Sequence, residues 1–208
     1  SENFTVVSWL LPRRVRQDFY NIYAYCRWSD DLADEVADPA NSLRLLDWWQ
    51  QQLALCYSGR PAHPILVALQ QTIQRYDLPM ELFTDLLRAF RQDQQQSRYA
   101  NEPQLIDYCR RSANPVGRIL LRVADCDNEL NQRLSDSICT GLQLANFCQD
   151  MARDAAANRI YAPQTLWAQH DVDEAMLLRG QVTRELRQML RSWVVVTRDY
   201  FEAGWPLI

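Results

Sequence analysis

A chain of 208 residues, 48 % of them hydrophobic, is long enough to bury one substantial core. A formal charge of −4 gives no footing for nucleic acid, and no apolar run approaches the roughly 20 residues that span a bilayer. With only two histidines, His63 in a Pro-Ala-His-Pro turn and His170 beside an acidic turn, a zinc site and a Ser-His-Asp triad are both disfavoured.

In chain order, the apolar periodicity predicts helices over 13–36, 42–57, 64–76, 80–97, 103–112, 115–125, 129–153, 164–169, 173–178 and 180–203. Asn41-Ser42 and Ser58-Gly59-Arg60 read as stops, and Pro115 breaks the pattern that carries Tyr108. No strand alternation, internal repeat or low-complexity linker interrupts this run; the Gln-rich stretch 92–96 is too short to count as one. An all-α chain in one domain is the expectation. Ser1-Glu2-Asn3-Phe4 and Gly204-Trp205-Pro206-Leu207-Ile208 read as internal to a longer chain that continues into further C-terminal helices. Six cysteines stand singly inside apolar helical patterns, which reads as reduced, mostly buried thiols in a cytoplasmic protein. All 22 basic residues are arginine, the better bidentate partner for phosphate.

Two acidic clusters lie about 120 residues apart, each at helical spacing. In the first, Tyr23, Arg27, Asp30 and Asp34 form one stripe, with Asp31 beside it and Phe19 extending it as an apolar wall. The second places Gln143 and Asn146 ahead of Asp150 and Asp154, with Arg153 among them. Like charges at i and i+4 weaken an isolated helix, so two such pairs on apolar segments point to a cation between them. Hard carboxylates without histidine favour Mg²⁺, which completes its shell with water and substrate phosphate. The plainer readings are a solvated acidic helix end for the first stripe and a polar interhelical network for the second. A third stripe, Tyr108, Ser112 and Val116, runs into small residues at Ala113 and Gly117 that would let a helix break approach a ligand. From spacing alone, Tyr108 reads equally well as an ordinary core tyrosine.

The stretches Asn3–Pro12, Tyr23–Arg27, Asp30–Glu35, Arg98-Tyr99, Tyr108–Gly117, Gly141–Asp154 and Arg159–Pro163, in this order, resemble the squalene/phytoene synthase family over essentially the whole chain. The resemblance implies a class I isoprenoid synthase bundle around a central apolar tunnel, with acidic helices facing each other at its mouth. It further implies that Asp30, Asp31, Asp34, Asp150 and Asp154 hold Mg²⁺ against an isoprenoid diphosphate. Arg27 and Arg153 would bind phosphate, Gln143 and Asn146 would line the reacting end, and Tyr23 and Tyr108 would offer π-faces to a carbocation. Phe19, Val116, Leu120 and Leu144 would shape the tunnel. The family usually has Arg at Gln149, Glu at Arg153, and Val-Ala-Gly at Ser112-Ala113-Asn114. Those departures resemble the hydroxysqualene synthase branch of bacterial hopanoid biosynthesis, in which presqualene diphosphate ionises and water captures the rearranged cation. Ser112 or Asn114 would then hold that water. The alternatives are head-to-head condensation of two prenyl diphosphates, as in squalene or phytoene synthases, and a non-catalytic relative, against which the retained carboxylates weigh. So apolar a product implies a peripheral membrane contact at the inner leaflet.

Overall fold

The computed structural model describes residues 12–36 and 38–208. Most of the Asn3–Pro12 stretch therefore lies outside the described residues, as does Ala37. Among the described residues the regular structure is helical, apart from an isolated parallel bridge between Arg98 and Ile160. None of the described helices is long and apolar enough to cross a membrane.

The first half is a bundle of four helices: α1 (Arg13–Asp34), α2 (Pro39–Tyr57), α3 (Pro64–Tyr76) and α4 (Met80–Asp93). The second half comprises α5 (Glu102–Ser112), α6 (Asn114–Val123), the long α7 (Glu129–Ala156), the short α8 (Gln164–Gln169) and α9 (Glu174–Arg179), and α10 (Arg184–Gly204). Side-chain caps start half of these ten helices. Asp38, Asn101, Asn128, Asp173 and Thr183 each accept from a backbone N–H two or three residues on.

Several boundaries differ from the sequence expectation. Helix α2 begins at Pro39 rather than 42, because Asp38 caps it and proline suits the first helical turn. Asn41-Ser42 is therefore no stop. Ser42 is fully buried, and its hydroxyl donates to the carbonyls of Leu32 and Ala33 at the end of α1. Helix α4 ends at Asp93 instead of 97, and α7 runs on to Ala156. Helix α10 waits for the Thr183 cap, since Gly180 ends α9 in the left-handed region.

Two apolar cores form. One joins α1–α4 and α6 around Tyr25, Trp49, Leu53, Phe83 and Ile119. The other joins α5 and α7–α10 around Tyr108, Leu144, Phe147, Trp167, Met189 and Trp193. Trp49 donates to Ser29, which donates to Tyr25 O, and Tyr25 donates to Phe83 O. This chain of bonds fixes the register of α1 directly before Asp30. The six cysteines are free, and burial pushes the Cys26 and Cys109 thiols up to about 12, so neither is a ready nucleophile.

Candidate active site

The acidic ends of α1 and α7 face each other across a cleft. Its outer part, about 600 Å³, is lined by Arg27, Asp30, Asp31, Asp34, Glu35, Arg153, Asp154 and Arg159. A deeper part of about 310 Å³ adds Gln143, Asn146, Asp150 and Ser112 over a floor of Phe90, Asp93, Tyr108, Phe147 and Tyr161. Among the described residues, seven carboxyls thus meet three guanidiniums, without histidine or cysteine.

Each rim carboxylate named from the sequence is paired with an arginine. Arg27 reaches Asp30 at 3.1 Å, Asp31 at 2.7 Å and Glu35 at 3.5 Å. Arg153 lies 2.7 Å from Asp150 and 3.8 Å from Asp154. Arg159 crosses the cleft to Asp34 at 2.9 Å. Acid still outweighs base: burial, then the neighbouring Asp34, raises the Asp30 carboxyl above its ordinary range. Asp154 is raised in the same way, by burial and by Asp150, against the opposing pull of Arg153. Burial works against the charge of Arg159, yet the hydrogen bond and charge of Asp34 raise its pKa overall.

The loop after α7 aims Arg159 and Tyr161 inward. Ile160 N donates to Ser97 O, and Gln164 N donates to Tyr99 O. Arg98 donates to the carbonyl and side chain of Asn158 and pairs with Glu174 at 2.6 Å. Tyr161 stacks on Phe147 with ring centroids 3.9 Å apart. Beneath the rim, Asp93 accepts from Tyr108 at 2.6 Å and from Tyr161 at 3.1 Å. Burial pushes its carboxyl up to about 7, against those hydrogen bonds and the nearby Arg159.

The structure gathers Asp30, Asp31, Asp34, Asp150, Asp154, Arg27, Arg153, Gln143, Asn146, Tyr108 and Ser112 around this cleft. It does not bring Tyr23, Phe19, Asn114, Val116 or Gly117 into the lining of either part. Tyr23 is part-buried on α1, and Phe19 and Val116 pack against the first core. Asn114 is buried at the start of α6 and accepts from Thr140, so its side chain is committed to the α6–α7 contact. Gly117 serves that same contact: a Cβ there would collide with Ser135 and Cys139 of α7. Its small size admits a helix rather than a ligand. Leu144 faces a separate cavity of about 150 Å³, with Leu105 and Trp193. Sequence reasoning missed Asp93, Phe90 and Phe147, and gave no role to Arg159 or Tyr161. Asp93 did carry a signal, since it continues the inward Phe83–Leu86–Phe90 stripe of α4 at helical spacing.

Comparison with known proteins decides the family. The squalene/phytoene synthase sequence pattern matches residues 1–208, the whole chain. The chain belongs to the squalene/phytoene synthase family. Among relatives, the phytoene synthase of Arthrospira platensis is 30 % identical over 97 % of this chain and 69 % of its own length. The hydroxysqualene synthase of Zymomonas mobilis is 34 % identical over 95 % of this chain and 67 % of its own. The crystal structure of squalene synthase HpnC from Alicyclobacillus acidocaldarius superposes with a TM-score of 0.94 at 39 % identity, covering all of this chain and 78 % of that one. The fold is therefore the class I isoprenoid synthase bundle, and the family consists of enzymes that act on isoprenoid diphosphates.

The donor chemistry of the rim suits a hard dication: carboxylates alone, on two facing helices, in excess over the arginines beside them. Among the described residues no three acids are placed to hold one metal ion, and each rim aspartate is paired with a guanidinium. A cation held there would compete with Arg27, Arg153 and Arg159 for these carboxylates.

Proposed function

We propose that this enzyme converts presqualene diphosphate to hydroxysqualene, with Mg²⁺ held by Asp30, Asp31 and Asp34 on one side and Asp150 and Asp154 on the other. Bound there, the metal supplies Lewis-acid neutralisation of the departing diphosphate. Arg27, Arg153 and Arg159 bind phosphate oxygens as they leave their carboxylates. Gln143 and Asn146 orient polar groups one to two turns deeper than the acids on α7. The Tyr108, Phe147 and Tyr161 rings, packed at centroid distances from 3.9 to 6.1 Å, present electron-rich faces to the carbocation.

The observation that carries the water-capturing reading is Ser112. Its hydroxyl is buried at the cleft and has no hydrogen-bond partner among the described residues. A buried unpartnered hydroxyl is unfavourable unless a water or ligand satisfies it. It lies one helical turn from Tyr108, beside the place where the cation would form. A peripheral contact with the membrane follows from the apolar product. The second reading, head-to-head condensation of two prenyl diphosphates, draws on the phytoene synthase relative, which is nearly as similar as the hydroxysqualene synthase.

Ser112→Val tests the assignment. Hydroxysqualene should give way to elimination or rearrangement products. Asn114→Ala, which loses only the Thr140 bond, should lower stability by about 1 kcal/mol and keep the parent's product ratio. An unchanged product profile in Ser112→Val would remove the support for water capture.

A further inference from the structure

Among the described residues, one carboxyl lining the cleft has no arginine partner. Asp93, at the end of α4, commits one oxygen to Tyr108 on α5 and the other to Tyr161 after α7. Both partners are phenols that donate, which leaves Asp93 poorly placed to coordinate a cation. Tyr108 leads back toward the reaction: it lines the same cavity as Ser112, one turn along the same face of α5. Its hydroxyl donates to Asp93, so its oxygen lone pairs remain to accept.

Building on the water-capturing reading, we propose that Asp93 receives, through Tyr108, the proton released when water adds to the carbocation. The water oxygen bonds to the cationic carbon and its proton passes to Tyr108 Oη. The proton already on Tyr108 passes to Asp93 Oδ2. A cation, a water and a carboxylate become an alcohol and a carboxylic acid. Tyr108 ends as the phenol it began as, and nothing is oxidised or reduced.

The surroundings agree with this path. Burial and the charge of Asp93 raise Tyr108 well above the ordinary phenol value, so it serves as a conduit rather than as a standing phenolate. Arg159, facing Asp93, favours the ionised carboxylate that must accept the proton. The rim acids stand outside this path, each paired with an arginine.

The test is a single turnover of presqualene diphosphate by excess full-length protein with Mg²⁺, reading the ratio of hydroxysqualene to olefins by mass spectrometry. Asp93→Asn keeps a hydrogen-bond acceptor for Tyr108 but is not a base. With the relay cut, captured water is lost again, and the cation gives up a C–H proton to the departing diphosphate. The alcohol-to-olefin ratio should fall about tenfold or more, and Tyr108→Phe should shift it the same way. Tyr108→Phe carries the test if Asp93→Asn does not fold, with circular dichroism as the check. Unchanged ratios in both variants, beside a parent that makes the alcohol, overturn the relay alone. Loss of diphosphate release in a folded Asp93→Asn also overturns it, because Asp93 would then act at ionisation. A parent that makes no alcohol overturns the water-capturing reading and the relay together.

Discussion

Arg153 stands where the family usually carries an acid, and in the structure it neutralises Asp150 and leans on Asp154. Arg153→Glu should therefore tighten Mg²⁺ binding in the presence of inorganic diphosphate by about tenfold, equivalent to roughly 1.4 kcal/mol, as read by calorimetry. Weaker binding would mean that the arginine serves the diphosphate more than it competes with the metal. Asp93 makes a second prediction at this scale. Its carboxyl titrates near 7 in the folded chain, against an ordinary 3.8. Between those values the folded state holds more protons than the unfolded chain, so stability falls as pH rises from about 4 through about 7. Asparagine removes that dependence. In metal-free buffer, Asp93→Asn should melt several degrees above the parent at pH 8 and close to it at pH 5. A gap that does not change with pH would contradict the buried-acid assignment. The rim aspartates were legible because i and i+4 spacing is local. Asp93 was legible only as a position on the inward stripe of α4, since its role depends on phenols from two other segments, 15 and 68 residues away. The Arg159–Asp34 pair, 125 residues apart, was hidden for the same reason.

Helix positions follow from apolar period and proline punctuation, so most elements could be read directly. Their ends needed information from elsewhere in the fold. Asn and Ser favour caps, which made Asn41-Ser42 look like a boundary. Ser42 instead satisfies the last carbonyls of α1, a contact between elements that no local pattern reveals. Glycine misleads in the same way. A small residue at Gly117 suggests room for a ligand, and that room is filled by α7. Where α10 lies along α7, Gly204 is tighter still: a Cβ there would meet the backbone carbonyl of Leu134 and the Ile138 side chain. A backbone atom cannot rotate away, so Gly204→Ala should destabilise by about 1–3 kcal/mol in denaturant unfolding. A neutral or stabilising result would mean that the α7–α10 packing is looser than described.

At the scale of the whole molecule, two apolar cores support two acidic helices that meet across a cleft, with an aromatic floor beneath the charge. On the proposed reading, this arrangement would separate diphosphate departure at the rim from carbocation chemistry at the base. Ser112 is the residue on which the present reading turns. The most direct measurement is mass-spectrometric product analysis after incubating the full-length protein and Mg²⁺ with presqualene diphosphate, with farnesyl diphosphate in a parallel reaction. Hydroxysqualene from the first and no product from the second is the predicted result. Presqualene diphosphate, squalene or a condensation product from prenyl diphosphates would contradict it and place the enzyme in the condensing branch.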